Sequence, residues 1–172
     1  MNFNFKKLTI ILIVSLIIIS SLTIVSSTYL SELDGKEQLR IEKACFSTGS
    51  GLSDKTYASI YVGSWFANED VIIQIWYSRD GNILNDGNMV PKTITNDGYI
   101  DVSSADSYKY YPDEAEINVY DSQNNFLDSK TVRLSPTDEK QAFDLEIYED
   151  GMHPANPTKA IENHFENYMK NN

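Results

Sequence analysis

From Tyr57 onward apolar and polar residues alternate in short runs, and a period of two predicts strands. Tyr57 to Phe66 alternates small or apolar residues with polar ones. Val71 to Tyr77 reads VIIQIWY, the near-continuous β-branched run of a central strand covered on both faces. Arg79-Asp80-Gly81-Asn82 marks a tight hairpin turn into a short return at Ile83-Leu84. Asn85-Asp86-Gly87-Asn88 turns the chain again, and Met89 to Thr95 predicts a strand that Pro91 confines to an edge. Asn96-Asp97-Gly98 leads into Tyr99 to Val102, and Ser103 to Asp113 forms a tyrosine-rich crossover. Ala115 to Tyr120 predicts a strand, Asp121 to Asn125 its turn, and Phe126 to Leu134 the returning partner. Phe143, Leu145 and Ile147 alternate with polar residues as a final strand.

At the C-terminus the period changes. Ala160, Ile161, Phe165, Tyr168 and Met169 fall on one helical face, with Asn156 as N-cap and Pro157 as first helical residue. The spacing predicts a helix over Pro157 to Met169 that packs on its own domain, with partner binding as the alternative. Before Tyr57 the signals are sparser. Gln38 to Phe46 alternates as a candidate first strand, and Ser47 to Asp54 is a loop. The segment Tyr77 to Leu84 aligns without a gap on Tyr120 to Leu127, which reads as two hairpins of shared turn chemistry rather than a repeat.

The N-terminus obeys neither period. Leu8 to Val25 carries no charge, and at about 1.5 Å per residue it spans roughly 27 Å as a helix, near the thickness of a bilayer core. Lys6 and Lys7 precede it and no acid occurs before Glu32, which places the N-terminus in the cytoplasm and the remainder outside. Two fates stand open. The segment is a retained anchor, or the core of a signal peptide whose removal releases the domain. Its length and the weak site at Val25-Ser26-Ser27 favour retention. The division expected is an anchor or signal over 1–27, a connector with a candidate strand over 28–54, a β domain over 55–150, and a connector with a helix over 151–172.

Composition narrows the partners. All 25 acidic residues follow the apolar run, while Lys6 and Lys7 of the 14 basic ones precede it, so the exported part is more acidic than the chain's net −11. Nucleic acid and anionic headgroups would be repelled, leaving the membrane itself, a surface protein or a glycan as partners. The single cysteine, Cys45, excludes an internal disulfide, and its phase with Leu39 and Ile41 predicts a buried apolar role.

Candidate chemistry is thin. His153 and His164 are the two histidines, and no Gly-x-Ser-x-Gly elbow accompanies them. His153 reads as a loop residue, and His164 as a flank of the helical apolar stripe. Asp80, Asn82, Asn85, Asp86 and Asn88 crowd one turn region, but Leu84 interrupts the calcium-loop spacing, so turn chemistry accounts for them and no metal or cofactor is expected. Aromatics remain. Trp65 and Phe66 lie in the turn Gly63 to Asn68, and Tyr108, Tyr110 and Tyr111 in the crossover; these are the candidate stacking surface for sugar rings. The alternative is that they close the ends of the β domain.

Trp76-Tyr77 followed by Arg79 to Leu84 resembles the third strand and hairpin of an immunoglobulin-like domain, and Asp113-x-Ala115-x-Ile117-x-Val119 resembles its lead-in to the sixth strand. Tyr57 to Leu134 carries the resemblance. It implies an Ig-like antiparallel β-sandwich, so that with the apolar run as an N-terminal transmembrane helix and the helical period as a short C-terminal helix the expected fold is mainly β. It implies Trp76 in the core and Val62 and Val119 where bridging cysteines would stand. The layout is similar to small adhesin-like surface proteins of archaea, which implies display on a cell surface and no enzymatic chemistry. The functional expectation is a membrane-anchored, non-catalytic binding or structural module outside the cell, or a carbohydrate-binding module using the exposed aromatics.

Overall fold

A computed structural model of the chain describes residues 38–47, 56–104, 111–137, 139–146 and 158–171. Leu8 to Val25, Tyr108, Tyr110, Ile147, His153, Asn156 and Pro157 lie outside these residues. Among the described residues no helix is long and apolar enough to cross a membrane.

Alternation builds the first layer. In β3 (Asp70–Arg79) the side chains of Val71, Ile73, Ile75 and Tyr77 are buried, while Ile72, Gln74 and Trp76 on the other face are half-buried. β3 pairs along most of its length with β7 (Glu114–Asp121), which pairs in turn with β8 (Phe126–Arg133). Its other edge receives β4 (Asn82–Ile83) near one end and β5 (Val90–Thr93) near the other. Pro91 has no N–H to offer a ladder, and β5 is accordingly an edge strand. Asp80 and Gly81 turn β3 into β4 with φ of 49° and 75°, the positive values that Gly and Asp adopt cheaply.

The second sheet runs in the order β6-β2-β1-β9, formed by Tyr99–Ser104, Thr56–Tyr61, Lys43–Ser47 and Gln141–Asp144, all antiparallel. Because β2 and β3 belong to different sheets, as do β6 and β7, the chain crosses between layers repeatedly. One core joins them: Ala44, Phe46, Ala58 and Ile60 from this sheet with Ile73, Tyr77, Ile117 and Val119 from the other. Phe46 meets Tyr77 edge-on at 6.2 Å, so the sheets interlock through an aromatic pair.

The outer face of this second sheet is also covered. Helix α1 (Lys159–Lys170) buries Ile161 and Phe165 against Cys45 and Tyr99, and Tyr57, Tyr61, Tyr168 and Met169 surround them. Burying Ile161 and Phe165 contributes about 1.5–3 kcal/mol each relative to exposure. The layers are thus helix, sheet and sheet.

Four expectations need correction. First, β3 is not covered on both faces: Ile72, Gln74 and Trp76 on its outer face are only half-buried. Second, Trp76 does not enter the inter-sheet core; Tyr77 does, with 1 % of its surface exposed. Trp76 instead lies beneath Gly87, where an added Cβ would stand 2.4 Å from the indole. Third, Cys45 is buried but not in phase with Leu39 and Ile41. Those two enter the inter-sheet core, and the Ile41 amide donates to Asp128 on β8. The inward phase then resumes at Ala44, which turns Cys45 out beneath α1. Fourth, Ala160 is exposed, and Thr158 is the N-cap, with no side-chain cap bond. The candidate first strand within 38–46 is present as β1 (Lys43–Ser47), with Leu39 and Ile41 before it entering the core.

Candidate functional site

The seam between α1 and the second sheet gathers most of the polar chemistry. Along β6 alternate residues share a face, so Tyr99 and Asp101 point outward toward the helix while Ile100 and Val102 point into the core. His164, one position before the buried Phe165, meets them. Its Nδ1 lies 3.1 Å from Asp97 Oδ2, its Nε2 lies 3.0 Å from Asp101 Oδ2, and its ring stacks on Tyr99 at 3.8 Å. Each ring nitrogen thus faces a carboxylate, and the two carboxylates fix the ring's orientation between them.

Asp101 also accepts a hydrogen bond from the Ser59 hydroxyl. The order is therefore Ser–Asp–His. The hydroxyl donates to a carboxylate and not to the imidazole, so the arrangement activates no nucleophile. Partial burial pushes the Asp97 carboxyl up, but the Thr95 hydroxyl, its own amide and His164 outweigh it, leaving the carboxyl below its ordinary value. Cys45 beneath the helix is pushed up to about 12 by burial, then by Glu162, which keeps its thiol neutral and unreactive.

Beside this cluster opens a groove of about 550 Å³. Lys43 and Tyr61 line its sheet side, Asp97 and Tyr99 its turn side, and His164 and Asn167 its helix side. The Lys43 ammonium stands 5.2 Å from the centre of the Tyr61 ring and 3.4 Å from Glu146. Tyr61 and Tyr99 are tilted against each other at 5.0 Å.

The predicted stacking residues are not gathered in one place. Trp65 sits in a single 3₁₀ turn, Ser64–Phe66, with 82 % of its surface exposed, while Phe66 packs against the core and anchors the turn. That turn is fixed on both sides. The Asn68 amide donates to Ile94, and Gly98 lies so close to Gly63 that a Cβ there would be 2.5 Å from the Gly63 carbonyl carbon. Tyr111 is at the far end of β3, its carbonyl accepting from Arg79. The ten residues of β3 therefore separate Trp65 from Tyr111, roughly 30 Å at about 3.3 Å per residue. Tyr108 and Tyr110 lie outside the described residues.

The turn acids and amides serve the backbone. Asn85 accepts from the Tyr77 amide at 2.8 Å and donates to the Ile75 carbonyl at 2.8 Å, in place of a strand neighbour. Asn82 donates to Arg79 and Asp80 carbonyls. Among the described residues no group of three His, Cys, Asp or Glu side chains could hold a metal ion.

Sequence reasoning missed the His164 cluster because its partners stand 67 and 63 residues away. The signal available was Asp97-x-Tyr99-x-Asp101, three outward positions at the mouth and along one face of a strand. Fold and site together define a mainly β protein of two antiparallel sheets with a C-terminal helix packed on one of them. Comparison with family models, with curated proteins and with solved structures finds no match.

Proposed function

We propose that the protein is a non-catalytic, membrane-anchored module displayed outside the cell, with an Ig-like sandwich that recognises an envelope component through the Trp65 turn. The observation that carries this reading is Trp65 itself, 82 % exposed on a turn held by Phe66, Ile94 and Gly98. A rigid aromatic offers large contact area at little cost in ordering, which is what recognition residues supply. The strand orders β6-β2-β1 and β3-β7-β8 support the Ig-like reading, since they match the E-B-A and C-F-G orders of that sandwich. The uncharged run Leu8 to Val25 behind Lys6 and Lys7 supports the anchor. The role is non-catalytic in this reading because Ser59 serves a carboxylate and Cys45 stays neutral beneath the helix.

The same exposure favours a glycan as the component recognised, since sugar rings stack on flat aromatic faces. Vesicles carrying the full chain, mixed with isolated native envelopes, test the proposal. Trp65→Ala is expected to weaken co-sedimentation about tenfold while leaving the thermal melt unchanged, one lost anchor contact being about 1.4 kcal/mol or more. Equal binding by both proteins would refute recognition through the turn.

A further inference from the structure

The groove at the helix seam has the chemistry of a small-ligand site, and nothing above requires it for the fold. Its volume of about 550 Å³ falls in the range of ligand pockets, roughly 300–1,000 Å³. Its back wall is fixed: Tyr99 is 7 % exposed, stacked on His164, and His164 is held by Asp97 and Asp101. Its rim is different. The Asp97 side chain is 60 % exposed, and Asn167 is exposed on the helix. The Lys43 ammonium stands over the Tyr61 ring, 5.2 Å from its centre.

This combination joins an aromatic wall to an acceptor, an amide and a cationic donor at one mouth. A ligand that fits it has an apolar face bordered by neighbouring hydroxyls. We infer that the groove binds a neutral sugar ring, set beside Tyr61 with its hydroxyls bonded by Asp97, Asn167 and Lys43. Neutrality follows from charge. The chain carries a net −11, Asp97 lines the groove, and Asp101 and Glu146 stand beside it as partners of His164 and Lys43, so an anionic ligand is disfavoured.

The groove also adjoins the Trp65 turn. Gly98 touches Gly63, and Asp97, Tyr99 and Tyr61, close to them along the chain, line the groove.

Ligand-observed NMR on the full chain in a non-sugar detergent tests the inference, using glucose, mannose, galactose, N-acetylglucosamine and their β-linked trisaccharides. At least one is expected to bind at millimolar concentration. Asn167→Ala should weaken that binding about tenfold with an unchanged melt, and Tyr61→Ala should weaken it as much while also lowering the melt, because Tyr61 packs against the helix–sheet cluster. Silence from every sugar overturns the inference and leaves envelope recognition to be judged by co-sedimentation. Binding lost in Trp65→Ala but intact in Tyr61→Ala and Asn167→Ala also overturns it, by placing the sugar on the turn alone.

Discussion

Gly98→Ala is expected to cost about 3 kcal/mol and to lower the melting temperature by roughly 10 °C. Two effects add. Gly98 has φ of +90°, a conformation that side chains rarely adopt, and its missing Cβ would stand 2.5 Å from the Gly63 carbonyl carbon and 2.6 Å from the Ser64 amide. Those neighbours are backbone, so they cannot swing aside as a flexible side chain would. Relief requires moving the turn that carries Trp65, and with it the Val62 to Gly98 hydrogen bond. Gly81→Ala is the control. Its φ is +75° but nothing lies within 4 Å of the added methyl, so only the conformational cost of about 1 kcal/mol remains. Thermal melts of the two variants should differ by most of the clash. Equal melts would mean that Gly63 and Gly98 are not in contact.

Alkaline pH should unfold the protein steeply. Burial pushes the Cys45 thiol from 9.0 up to about 12 and raises the Tyr77 phenol well above its ordinary 10.0. Both groups bury as neutral acids, so the folded state keeps protons that the unfolded state releases. Where the unfolded chain binds fewer protons, stability falls as pH rises. Their contribution is intact below about pH 9, and each group then removes about 1.4 kcal/mol per pH unit once its unfolded form ionises. Between pH 9 and 11 Cys45 acts first and Tyr77 joins from about pH 10, together removing on the order of a few kcal/mol. Tyr99, raised to about 12 by burial and then by Asp97, acts in the same direction. Urea unfolding measured between pH 8 and 11 checks the slope, and Cys45→Ala should remove the earlier part of it. A flat profile would place these groups in water.

The local chemistry was legible in the sequence wherever short-range sterics decide it. Asp80-Gly81, Asp97-Gly98 and Asp121 to Asn125 turn the chain as their composition requires, and Pro91 marks an edge. The helical period of Ile161, Phe165, Tyr168 and Met169 found the face that packs. Phase was harder to read. Trp76 and Tyr77 are adjacent large aromatics, and a period of two cannot say which one faces the core. The inward phase shifts between Ile41 and Ala44, where the Ile41 amide donates to Asp128, a residue far along the chain. His164 was invisible as a hub for the same reason, because both its carboxylates come from distant segments. Trp65 was singled out for its turn, yet its separation from Tyr111 depends on the length and direction of β3.

The account depends on α1 lying fixed across the outer face of the second sheet, since that contact makes the groove. Proton NMR contacts between the His164 and Tyr99 rings, and between Phe165 and Cys45, measure it directly in the full chain. Strong contacts for both pairs, lost together in Phe165→Ala, are the predicted result. Random-coil signals from Lys159–Lys170 in an otherwise folded protein would contradict it and remove the groove.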